Sequence, residues 1–287
     1  MCAKINIEKE NKLPELVDLY YNIKILQTQS WNEAIFGKAN DANELCKKGI
    51  ELSREYQKKR PFAGKLLELE FRKNRVYALQ YDDKQNPDLL RNECEELLHE
   101  AELIYKENPG NRIIHDIIGF SCNLYCTYTL KYLQQKQKDL SLEAIEMEKA
   151  KMFWIVNYGL EVRKQIFEKY PNDIWAIRGY AWSLHTKARL YMDMGEKLDV
   201  AKDLLDKARD LRNKEKNRMD IGLYEDLIDN YIDLFKVRGG KSGGTKLEKE
   251  ISQKVQKLIN EIREKARNSV RFHRLLDKLH EEGLGIE

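Results

Sequence analysis

Four times along the chain, small and apolar residues recur at gaps of four, three and three. The sets are Ala42, Cys46, Gly49 and Leu52; Cys94, Leu98, Ala101 and Ile104; Ala150, Trp154, Asn157 and Leu160; and Ala201, Leu205, Ala208 and Leu211. This spacing gathers each quartet on one face of an α-helix. The quartets begin 52, 56 and 51 residues apart, so one supersecondary unit repeats. Stacked units of that kind bury a continuous core that no single unit could bury. Period-two alternation of β-branched residues is missing, and no strand is predicted.

Helices are predicted near 14–27, 30–38, 41–59, 62–82, 87–107, 111–136, 141–170, 173–194, 197–214, 219–237 and 246–281. All five prolines, Pro14, Pro61, Pro87, Pro109 and Pro171, fall where a helix should start or stop. Asn86 before Pro87 reads as an N-cap, and Thr245 with Glu248 as a capping box. The strongest break is Gly239-Gly240-Lys241-Ser242-Gly243-Gly244. It divides the chain into a repeat domain over 1–238, a loop or hinge over 239–245, and a C-terminal capping helix within 246–287. Its Gly-Lys-Ser is not read as a phosphate-binding loop, because Phe235 stands where that motif needs glycine and no strand precedes it.

An apolar fraction of 42% suffices for a core, while 34% charged residues give a water-facing surface. No apolar run reaches the roughly 18 residues that span a bilayer, and the stretch from Met1 to Pro14 is charged where a leader peptide would be apolar. A cytoplasmic protein without membrane contact is the expectation. Five cysteines, two of them in the quartets, read as reduced core thiols. A net charge of +3 is too small to argue for nucleic acid by itself.

From Leu184 to Leu211, Ala188, Tyr191, Gly195, Ala201, Leu205 and Ala208 follow one another at the spacing of a tetratricopeptide repeat, and the segment resembles that family. Elsewhere the likeness covers mainly the second helix of each unit, with a period well above the family's 34 residues. The resemblance implies an all-α superhelical solenoid of antiparallel hairpins, with elongated repeats of about 50 residues. It further implies a non-catalytic scaffold or adaptor whose concave groove holds a peptide or helix of a partner protein. In that family the first helix of each pair lines the groove. The residues so placed are Arg72 and Arg75 beside Glu68, Asn123 and Thr127 beside Asp116, and Arg178, Trp182, His185 and Arg189. Guanidinium groups, an aromatic plate and amide or hydroxyl groups suit an acidic or carboxylate-terminated peptide. The family's carboxylate clamp is not reproduced, since Arg189 replaces its asparagine.

Charge separates sharply downstream. Residues 220–235 hold Asp220, Glu225, Asp226, Asp229 and Asp233 with no lysine or arginine, whereas Arg263, Arg267, Arg271, Arg274 and Lys278 form a basic stripe on the final helix. The two helices either face one another, or the stripe is open to nucleic acid or another anion as an alternative function. Two metal-like groupings, His115 with Cys122 and Cys126, and His273 with Asp277 and His280, each lack a complete ligand set, so no metal, cofactor or enzymatic activity is expected.

Overall fold

The computed structural model describes residues 13–36, 38–80, 82, 84–136, 138–214, 221–237, 246–282 and 284. These hold eleven helices and no strand: α1 (Leu13–Ile35), α2 (Ala39–Gln57), α3 (Pro61–Leu79), α4 (Pro87–Glu107), α5 (Arg112–Lys136), α6 (Leu142–Lys169), α7 (Ile174–Asp193), α8 (Leu198–Lys214), α9 (Ile221–Val237), α10 (Lys246–Ala266) and α11 (Val270–Glu281). The glycine-rich segment 239–245, Asp220 and the Thr245–Glu248 capping pair fall outside the described residues and side chains. The Asn86 cap forms where the sequence places it, accepting from the Asp88 amide at 3.0 Å, and Asp173 opens α7 by accepting from the Ala176 amide at 2.9 Å.

Two boundaries differ from expectation. The predicted helices 14–27 and 30–38 are one helix, because Thr28 and Ser30 turn their hydroxyls back onto the Lys24 and Gln27 carbonyls instead of capping a new start. The predicted helix 246–281 is two. Ser269 breaks it by accepting from the Phe272 amide at 3.2 Å, opening α11.

The chain forms two compact units, residues 1–84 and 85–287. In the first, α1, α2 and α3 pack mutually around Ile23, Cys46, Ile50, Leu67 and Phe71. The buried Glu68 carboxylate takes two bonds from Arg54, at 3.0 and 2.8 Å, and one from Lys65 at 3.3 Å.

In the second unit each helix from α4 to α9 packs on the next, and α5, α7, α9 and α11 also form a row. Bonds across the row climb together along the chain. Arg112–Asp173 and Asn123–Ser183 join α5 to α7 at separations of 61 and 60 residues. Ser269–Glu225, Arg271–Asp226 and Lys278–Asp229 join α11 to α9 at 44, 45 and 49. A nearly constant offset means that these helices run parallel and in register. Between α4 and α6 the offsets are 56 and 60, through Lys151–Glu95 and Tyr105–Gln165.

Three quartets are inward. Ala42, Cys46, Cys94, Ala101, Ala201, Leu205 and Ala208 are fully buried. The third is not, for Ala150, Trp154 and Asn157 face outward. The buried residues of α6 include Met152, Val156, Gly159 and Val162, the same spacing two residues further on. The close approach decides this: a methyl group at Gly159 would lie 2.6 Å from the Cys122 Cβ, so α5 and α6 touch where only glycine fits, and tryptophan could not replace it.

Candidate functional site

The side chains singled out on α7 and on the basic stripe converge on α9. His185 and Arg189 share a face of α7, as do Glu225, Asp226, Asp229 and Asp233 on α9, by helical spacing. Parallel packing of α7, α9 and α11 brings cations to α9 from both sides. Arg189 donates through Nε to Asp233 and through Nη2 to Asp229, both at 2.5 Å. Arg271 donates to Asp226 at 2.5 Å, and Lys278 to Asp229 at 2.9 Å. Ser269 donates its hydroxyl to Glu225, so one residue caps α11 and ties it to α9.

Arg212 of α8, 1% exposed, enters the same cluster and places Nη1 3.2 Å from His185 Nδ1. His185 Nε2 lies 2.8 Å from Asp233 Oδ2. A guanidinium only donates and a carboxylate only accepts, which fixes the imidazole as the neutral Nε2–H tautomer, accepting from Arg212 and donating to Asp233. Burial, reinforced by the Arg189 charge, pushes His185 down to about 4, in keeping with that form. Burial alone would raise the Asp229 and Asp233 carboxyls, but Arg189 and Lys278 hold both well below the usual range. Burial also lowers Arg212 to about 10. Four cations, Arg189, Arg212, Arg271 and Lys278, thus stand against four carboxylates, and the neutral histidine leaves the cluster balanced.

The other groove candidates are distributed as follows. Arg72 and Arg75 lie half-buried on α3 in the first unit, while Asn123, Thr127, Arg178 and Trp182 lie in the second. Asn123 is fully buried and accepts from Ser183 at 3.3 Å; Thr127 bonds back to the Asn123 carbonyl at 3.0 Å. Trp182 is not an open plate. Phe120 meets it edge-on at 4.8 Å between centroids, and the Arg163 guanidinium covers it at 5.2 Å. Arg178 stacks over Trp175 at 5.5 Å. Asp116, Thr127, Arg178, Trp182 and Arg189 remain partly exposed along α5 and α7.

On the stripe, the break at Ser269 separates Arg263 and Arg267 from Arg271, Arg274 and Lys278, so the five do not share one helix. Arg263 and Arg267 are exposed. His115 directs its ring nitrogens at the Val162 and Pro109 carbonyls, at 3.3 and 2.6 Å. Cys122 and Cys126 are buried thiols, Cys122 pushed up by burial to about 12. Among the described residues no three His, Cys, Asp or Glu side chains are placed to hold a metal ion, and no helix is long and apolar enough to cross a membrane.

Two buried arginines were missed from sequence. Arg163 of α6 donates to the Gly179 carbonyl at 2.8 Å and reaches Asp116 at 3.4 Å, lying against Gly119 of α5, where any Cβ would collide with it. Gly119 and Gly179, 60 residues apart, were the available signal. Arg212 carried none, since its sequence neighbours resemble any charged helix end. No protein-family model and no curated protein matches the chain.

Proposed function

We propose that the protein is a non-catalytic helical-repeat scaffold of tetratricopeptide type, holding a peptide or helix of a partner protein along the α5–α7 face. The observation that carries the reading is the row of parallel, register-matched helices α5, α7, α9 and α11. Repeats stacked in this way offer an extended surface rather than a pocket. Along it, Asp116, Thr127, Arg178 and Trp182 are partly exposed side chains on a rigid frame. Arg178, stacked over Trp175 on α7, is the cation on this face that an incoming acidic group would meet. The nucleic-acid alternative is not carried forward, because its stripe is divided at Ser269 and two of its cations serve α9.

The test is affinity capture from the native cell with wild-type protein and with Arg178→Glu and Thr127→Lys variants. A partner retained by wild type and lost from both variants, with helical content unchanged, supports the α5–α7 face. Retention by both variants removes it.

A further inference from the structure

The chain pattern and the fold disagree at one joint. Helical spacing runs through 246–281 as through a single helix, yet the chain turns between α10 and α11. Arg267, Asn268 and Ser269 include neither glycine nor proline, the two residues that oppose a helix most strongly. Ser269 makes the bend. Its backbone leaves the helix at φ −82° and ψ 116°, and its hydroxyl accepts from the Phe272 amide while donating to Glu225 of α9. One serine thus stands between two short helices and a single helix of about 54 Å.

α11 joins the body chiefly through α9. Phe272, Leu275 and Leu279 are buried in the same cluster as Leu227, Tyr231 and Phe235 of α9. Arg271 pairs with Asp226, Lys278 with Asp229 at 2.9 Å, and Glu282, just past the helix, with Lys236 at 2.7 Å. The joint lies at the start of α9, where Glu225 holds Ser269 and Tyr224 bonds Glu261 of α10. A straight α10–α11 helix would carry α11 clear of that end and uncover the α9 face. What fits the face is given by the chain itself: carboxylates beside apolar side chains, matched by the arginine, lysine and leucine positions of α11. A second copy of the chain brings the same helix.

We propose that α11 is exchanged between two copies of the protein. The joint at 267–269 straightens, and each α11 lies on α9 of the other copy in the register it holds within one chain. The ion pairs and apolar contacts between α9 and α11 re-form between copies. Only the Ser269 cap and its bond to Glu225 are given up, and continuous helix replaces the turn. Because each copy both gives and receives α11, the exchange closes at a dimer. It stands apart from the α5–α7 face and does not require that face to bind anything.

Two variants push the joint in opposite directions. Val270→Pro places proline at the first position of α11, which suits the bent form: Ser269 already has the extended backbone that a following proline favours, and a straight helix would be interrupted. Ser269→Ala removes the cap and favours helix. The full chain is refolded from urea over a series of concentrations and its mass is followed by sedimentation. Wild type is expected to form a dimer as concentration rises. Ser269→Ala should raise the association constant about tenfold or more, and Val270→Pro should stay monomeric with unchanged helical content. The place of contact is read by refolding Lys236→Cys chains together with Glu282→Cys chains, linking them with a short bismaleimide and mapping the link by mass spectrometry. A 236–282 link between chains is expected, and adding Val270→Pro to both should remove it. A wild type that sediments as a monomer at every concentration, a dimer that survives Val270→Pro, or a dimer without the 236–282 link would each overturn the proposal.

Discussion

Helices α6 and α8 carry the same four-three-three spacing and use it in opposite ways. On α8, Ala201, Leu205, Ala208 and Leu211 are buried against α7 and α9. On α6, Ala150, Trp154 and Asn157 look outward, while Met152, Val156, Gly159 and Val162 pack on α5. Periodicity defines a face; the size of the side chain at the point of closest approach decides whether that face is inside. Alanine serves at 208, but at 159 even one methyl group is too many. The inner surfaces differ in polarity too. Beyond Leu211, Arg212 carries α8 into the charge cluster on α9, whereas on the outward side of α6 Lys151 meets Glu95 of α4.

The sharpest way to break the α8 side of this comparison is through that cluster. Asp233→Ala leaves His185 without its acceptor and Arg189 and Lys278 short of one, in a site where Asp233 is 3% exposed. Removing one partner of a buried pair costs about 3–5 kcal/mol, and urea unfolding should show a loss of that size. Acid probes the same place. His185 is held at about 4, below its unfolded value near 6.5, so the unfolded chain takes up the proton first. Its contribution is therefore complete above pH 6.5 and declines by about 3 kcal/mol as pH falls to 4. Below that, protonation of Asp229 and Asp233, both lowered in the fold, removes more. In His185→Gln the slope between pH 6.5 and 4 should flatten. A smaller effect tests α6: Gly159→Ala should cost about 1–3 kcal/mol by overpacking against Cys122.

Much of this was legible in the sequence. The prolines and the Asn86 cap located helix ends, since their effects are local. Thr28 and Ser30 misled because a hydroxyl can equally cap a helix or bond back within one, and the neighbouring packing decides. Asn268-Ser269 lacked the glycine or proline that marked other breaks, and a serine cap inside a strongly periodic segment was passed over. Reading α7, α9 and α11 separately identified their charges but not the pairs. The offset between parallel helices, near 44–49, is a tertiary property absent from any single helix. Arg163 and Arg212 were invisible for a related reason, because a buried arginine is specified by partners 16 to 47 residues away.

The most direct test of the account compares two residues at the same place in their quartets. Leu205→Ala and Trp154→Ala are unfolded in urea side by side, with the fold of each checked by circular dichroism. Leu205 is fully buried and Trp154 is 63% exposed. Leu205→Ala should lose about 2–5 kcal/mol, and Trp154→Ala should stay within about 0.5 kcal/mol of wild type. Losses of equal size would mean that Trp154 lies in the core after all, and would contradict the outward face on α6.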